Sequence, residues 1–221
     1  MAPRQNHRNA FGSDPRFLER LAKQGIALGA EPAAPPGTSI VSDTPKGPSN
    51  ATKRLQKVRE ANKESRQDCL VYDPLTNTLC VLFPGAMLLS LNIMLRLHDA
   101  QGTGLKKTWQ KRIEALMYEH KAIYERWRNA ATYPVVIEEI YITAESSLLD
   151  HEAVSAGCKP IIDAFVKNGF LPDDSPAYVA HPIPYTERGS SAGLLIRFRP
   201  SPRPWGLIQD EAISHARKMV S

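Results

Sequence analysis

The sequence predicts an α+β domain, a small mixed β-sheet with packed helices, preceded by a largely flexible N-terminal extension. Three observations lead there. Short runs rich in apolar and β-branched residues, at Leu70–Tyr72, Leu79–Phe83, Val135–Ile142 and Leu194–Phe198, have the length and composition of strands. A longer segment carries apolar residues at spacings of three and four, the mark of a helix with one buried face. Strands and helices then mix without the regular alternation of a doubly wound sheet.

The elements follow in order. Asp14 to Gly25 reads as a short helix with Phe17, Leu18 and Leu21 on one side and Gly25 as its stop. Glu31 to Pro48 is rich in Pro, Ala, Gly and Ser, has little to bury, and reads as a linker. Thr52 to Arg66 is charged and reads as a solvated helix or a basic arm, so residues 1–66 form a basic, Pro-rich extension. The folded domain, 67–200, is expected to start near Cys69, with two strands joined by a turn at Asp73–Asn77. Leu88 to Leu97 reads as a short helix, and Gly102 and Gly104 as a loop. Leu105 to Trp127 is the clearest helix, with Leu105, Trp109, Ile113, Leu116, His120, Ile123 and Trp127 on one stripe. Pro160 to Val166 is helix-like, with Gly169 as its C-terminal cap. Residues 201–221 form a tail with a short helix, Gln209–Met219.

A chain of 221 residues carries one good core plus tails. A net charge of +5 permits a polyanionic partner without requiring one. Cys69, Cys80 and Cys158 are scattered without zinc spacing and read as free thiols of a reducing compartment. The longest apolar run, Met87–Leu91, is too short to span a bilayer, and the N-terminus lacks the apolar core of a signal peptide. The expectation is a soluble cytoplasmic protein with no membrane partner.

Candidate chemistry gathers between Asp150 and Asp174. In an extended segment Asp150 and Glu152 point the same way, so both carboxylates face one hard cation. The plainer alternative is an acidic loop that caps the next helix. Lys159 and Asp163 are four apart and share a helical face, as a surface ion pair or as a lysine held near a scissile phosphate. Pro160 means that this helix either starts there or kinks. Asp173–Asp174 is by itself a turn, but the apolar segment Ile161–Leu171 can return it toward the first acids. His120 reads as a satisfied core histidine. Lys106, Lys107, Lys111, Arg112, Arg126 and Arg128 read either as phosphate contacts or as a solvated helix face. No serine or cysteine stands in a nucleophile motif, and there is no glycine-rich phosphate loop.

Taken together, Asp150-His151-Glu152-Ala153, Lys159, Asp163, Gly169-Phe170 and Asp173-Asp174 resemble the RusA-like Holliday-junction resolvases. That family's pattern is Asp-x-Asp-Asn, a lysine, an aspartate four residues on, a Gly-aromatic step and an Asp-Asp pair. Ser90 to His98 and Leu105 to Trp109 resemble the family's N-terminal part, and the resemblance spans roughly residues 80–199. It implies a homodimeric, Mg²⁺-dependent endonuclease, with Mn²⁺ as a substitute ion, acting on branched or four-way-junction DNA. It implies Asp150, Glu152 and Asp174 as metal ligands, Lys159 as the essential lysine and Asp163 as a further acid. Arg96, Lys106, Lys107, Lys111 and Arg112 become DNA contacts. Glu152 stands where the family has Asp, and Ala153 where it has Asn. The other form of the same expectation is therefore a non-cutting relative that binds branched DNA or a protein.

Overall fold

A computed structural model describes residues 49–63, 65–97 and 99–220. The expected helix at Asp14–Gly25 and the linker at Glu31–Pro48 lie outside them. The fold is α+β, with a five-stranded mixed sheet. No helix among the described residues is long and apolar enough to cross a membrane.

The folded unit begins earlier than the sequence suggests. Helix α1, Asn50–Ala61, is capped by Ser49, whose hydroxyl accepts the Thr52 amide at 3.2 Å. It is mostly charged, yet Leu55 and Val58 are 4% and 1% exposed. Two apolar residues three apart suffice to seat one face of a polar helix on the core. At its end Asn62 is fully buried, donating to the Met87 carbonyl at 2.7 Å and accepting the Met87 amide at 3.0 Å. Its amide side chain thus pairs with the backbone as a neighbouring strand would. The boundary expected near Cys69 is corrected: α1 belongs to the domain.

Strands β1 (Cys69–Asp73) and β2 (Thr78–Pro84) form the expected hairpin. Asp73 accepts the Leu75 amide at 2.9 Å and the Thr76 hydroxyl at 2.6 Å, and Asn77 takes φ 49°, which closes the turn. Helix α2 is a single turn, Leu91–Met94. The expected long helix is two, α3 (Asp99–Glu119) and α4 (Lys121–Ala130), broken at His120 with ψ 36°. The break re-aims the apolar stripe, so Tyr124 and Trp127 are the buried residues of α4. Gly102 and Gly104 lie inside α3 rather than in a loop; a Cβ on Gly104 would stand 3.2 Å from the Arg59 guanidinium carbon.

Strand β3 (Val135–Thr143), helix α5 (His151–Lys167) and strand β4 (Val179–Arg188) form one βαβ unit, with β3 and β4 parallel. Strand β5 (Gly193–Pro200) lies antiparallel between β2 and β3, giving the order β1-β2-β5-β3-β4. Pro182 and Pro184 argue against a strand in the sequence. They are tolerated because β4 is an edge, where half of the amides have no strand to meet. The last helix, α6, is Asp210–Met219, close to the expected range.

Alternation divides the sheet. Ile137, Tyr141, Leu194, Ile196, Phe198, Val81 and Phe83 are buried under α3, α4 and α5. Phe165 of α5 stands among Phe83, Phe170 and Phe198, with ring centroids 6.2, 5.3 and 5.1 Å away. On the other face the register aligns Cys69, Leu82, Leu195, Ile140 and Tyr185 across all strands. Val71, Leu82 and Tyr185 are 50%, 39% and 46% exposed there.

Arg112 overturns one sequence expectation. It is 1% exposed and is no DNA contact. Its Nε and Nη2 donate to Asp68 at 2.7 and 2.6 Å, and its other donors reach the carbonyls of Ala61 and Pro84 at 3.3 and 3.2 Å. The guanidinium lies over Phe83 and Trp109, 5.1 and 5.4 Å from the ring centroids. Burial pushes the Asp68 carboxyl up, opposed by the guanidinium beside it. Truncating one member strands the other charge in the core, so Arg112→Ala is expected to lose about 3–5 kcal/mol of unfolding free energy in urea titrations. Lys107→Ala, on the exposed side of the same helix, should leave the midpoint nearly unchanged.

Candidate functional site

The site is built on α5. Asp150 is its N-cap, accepting the Ala153 amide at 2.7 Å, with extended φ/ψ of −72° and 168°. One oxygen of its carboxylate caps the helix, as the plainer sequence reading holds. Glu152 lies in the exposed first turn, where a negative charge favours the helix dipole. The extended geometry that would turn both acids onto one cation is therefore replaced by a helical start. The loop leading into it is tied from both sides. Arg54 of α1 pairs with Glu145, one contact at 2.8 Å, which holds the Glu145 carboxyl below its usual range. Arg188 donates to the Ser146 carbonyl.

The helix runs through Pro160 instead of starting there. Gly157 keeps this stretch close to the segment between β2 and α2, since a Cβ there would stand 3.2 Å from that of Leu88. At the C-terminus Gly169 takes φ 75° and the Phe170 amide reaches back to the Phe165 carbonyl at 3.0 Å. This is the left-handed glycine stop the sequence predicts. Trp127 donates to the Phe170 carbonyl at 3.0 Å and fixes the turned chain.

That turn brings Asp174 back to the middle of α5. Lys159 Nζ reaches Asp163 Oδ1 at 2.8 Å and is also paired with Asp174. Lys106 of α3 reaches Asp163 Oδ2 at 3.1 Å. Of the five residues that the resemblance groups, Lys159, Asp163 and Asp174 are thus brought together, and Lys106 joins them. Partial burial of Lys159 disfavours its charge, but the hydrogen bonds to Asp163 and Asp174 outweigh this and raise its pKa. Lys107 and Lys111 are exposed four residues apart on α3, and Arg96 is exposed beyond α2.

Sequence reasoning missed Glu139. It is 1% exposed, and its Oε2 is buried with no hydrogen-bond partner among the described residues. Burial raises its pKa to about 8, against the lowering effect of a Ser155 hydrogen bond. A cavity of about 210 Å³ has Glu139 and Ser155 in its lining, together with Lys159 and Asp174. The signal was present in the alternation of β3, which puts Glu139 on the side of Ile137 and Tyr141. On the other side of Lys159 and Pro160 a pocket of about 460 Å³ opens toward Lys106, with Met94, Leu97 and Leu105 in its lining.

The ligand set for Mg²⁺ implied by the resemblance does not assemble. No group of three or more His, Cys, Asp and Glu is placed to hold a metal ion among the described residues. Asp150 caps its helix, and Asp174 already carries an ammonium group. The cavity lining that contains Asp174 has Ser155 from α5 and neither Asp150 nor Glu152. No protein-family model matches this chain, and no curated protein matches it.

Folded Glu139 holds its proton up to about pH 8, whereas an unfolded glutamate releases it near 4.5. The native state binds more protons within that window, so stability should fall as pH rises from about 4.5 to about 8. The limiting slope is about 1.4 kcal/mol per pH unit. Glu139→Gln stays neutral, so its urea midpoint should meet that of the wild type at acid pH and exceed it increasingly toward pH 8.

Proposed function

We propose that this chain binds branched DNA as a RusA-like protein without cutting it, and does so as a symmetric dimer. The observation that carries the non-cutting form is the Lys159 ammonium between Asp163 and Asp174. With Asp150 used as a cap, the cluster is nearly neutral instead of a field that draws in a divalent ion. The exposed Lys107 and Lys111, with Arg96, supply charge for phosphate contacts. The cutting form, a metal-dependent endodeoxyribonuclease using Mg²⁺ or Mn²⁺, draws its support from Glu139, which brings a further acid to the cavity of Lys159 and Asp174.

The dimer is supported by the open face of the sheet. A row of apolar residues there, Leu82, Leu195, Ile140 and Tyr185, lies beside Glu138, which pairs with Arg197 at 3.0 Å and Arg199 at 2.6 Å. Apolar area with both charge signs beside it suits a two-fold contact with a second copy.

A labelled four-way junction and a linear duplex, each with and without Mg²⁺ or Mn²⁺, separate the two forms. The expected result is tight junction binding with no product. Metal-dependent symmetric nicks lost in Asp174→Asn would establish the cutting form, and no junction binding would sink the nucleic-acid reading. Lys107→Ala with Lys111→Ala should weaken binding and lower the slope of log K against log salt by about one per contact removed. Leu82→Lys should shift the protein from dimer to monomer in sedimentation equilibrium, and a wild-type monomer would overturn the dimer.

A further inference from the structure

We infer that the cavity between β3, α5 and the start of β4 receives one unpaired nucleobase, its polar edge on Glu139 and Ser155 and its faces between Ile137, Ile162, Val179 and Pro182. The inference rests on the branched-DNA reading and adds to it a subsite with a defined ligand.

Depth and polarity support it. Glu139 and Ile162 are 1% and 6% exposed, while the side chains of Lys159 and Asp174 are 58% and 37% exposed. The cavity therefore has a buried floor with one carboxyl, aliphatic walls and a charged mouth. Its volume of about 210 Å³ is below the roughly 300–1,000 Å³ of sites for drug-sized ligands, which suits one small ring and not a whole nucleotide. The unpartnered Glu139 Oε2 calls for a hydrogen-bonding group brought from outside.

The ligand's chemistry follows. A hard cation retains several waters and seeks oxygen donors, whereas four of the lining residues are Ile137, Ile162, Val179 and Pro182. The Lys159 ammonium at the entrance would also repel it. A flat heteroaromatic ring has apolar faces for those walls and an edge of adjacent donors and acceptors. With its proton retained at neutral pH, Glu139 offers one donor and one acceptor side by side, the complement of the Watson–Crick edge of a pyrimidine. Lys159 at the mouth then lies near the phosphate of the same nucleotide. Bases at a branch point are the least costly to unstack, which is where a protein that captures an extruded base gains selectivity.

The test uses the full chain and a four-way junction with a fluorescent cytosine analogue next to the exchange point. Binding by the wild type should raise the probe's fluorescence severalfold, and Glu139→Leu should abolish the rise. The leucine replaces a buried carboxyl, one oxygen of which has no partner, by an apolar side chain, so the fold should persist. Ser155→Phe, which fills the cavity, should do the same and reduce junction affinity severalfold. Junction binding with no fluorescence rise, or a rise unchanged in Glu139→Leu, would overturn the inference and leave the branched-DNA reading standing. Titration with free cytidine and thymidine, followed on the Ile137 and Ile162 methyl resonances, is independent of junction binding. Shifts at millimolar nucleoside that vanish in Glu139→Leu support the site, and none at all would mean a cavity filled only by water.

Discussion

The buried pair of Asp68 and Arg112 is the constraint on which the rest of this fold depends. Arg112 lies on α3, Asp68 just before β1, and the two carbonyls it also contacts end α1 and β2. One side chain thus sets the mutual positions of two helices and the first hairpin. A guanidinium does this better than an ammonium because its planar donors satisfy several acceptors at once. The stacking against Phe83 and Trp109 continues the same arrangement into the aromatic core. Trp109, Trp127, Phe165, Phe170 and Phe198 then fill the space under the sheet.

On that base, the βαβ unit places the chemistry. Ser49 and Asp150 start their helices, and the left-handed Gly169 ends α5 so abruptly that Asp174 returns to Lys159. The same packing turns Glu139 inward from β3. The outcome is a gradient within a short distance, from a carboxyl kept neutral by burial to an exposed lysine paired with two aspartates. An uncharged carboxyl at the floor and charge at the mouth suit recognition of a ring attached to a phosphate. Assembly of three charged carboxylates around an ion would require a different balance.

Much of the fold was legible in the sequence. The Asp73–Asn77 turn, the strands around it and the Gly169 stop follow from local chemistry, because turn residues and alternation act over a few positions. The errors have a common cause. Helix α1 reads as a solvated helix or a basic arm because only Leu55 and Val58 commit it to the core. Strand β4 is hidden by prolines that only an edge tolerates. Asp150 reads more readily as a cap than as a ligand, but both uses need the same carboxylate at the same place, and the backbone geometry shows the cap. Arg112 differs from Lys111 by its position on the helix, with no difference in charge.

The sequence by itself determined the class of the fold, most of the strand and helix material, and the pairing of Lys159 with Asp163. The first two rest on periodicity, and the pairing of Lys159 with Asp163 rests on helical spacing. Tertiary structure alone decided which charges are buried and which are free. It took Arg112 out of the exposed basic face, used Asp150 to start a helix, and gave Glu139 a cavity and a retained proton. The physical reason is that desolvation depends on every element packed around a group, whereas periodicity depends only on the residues beside it.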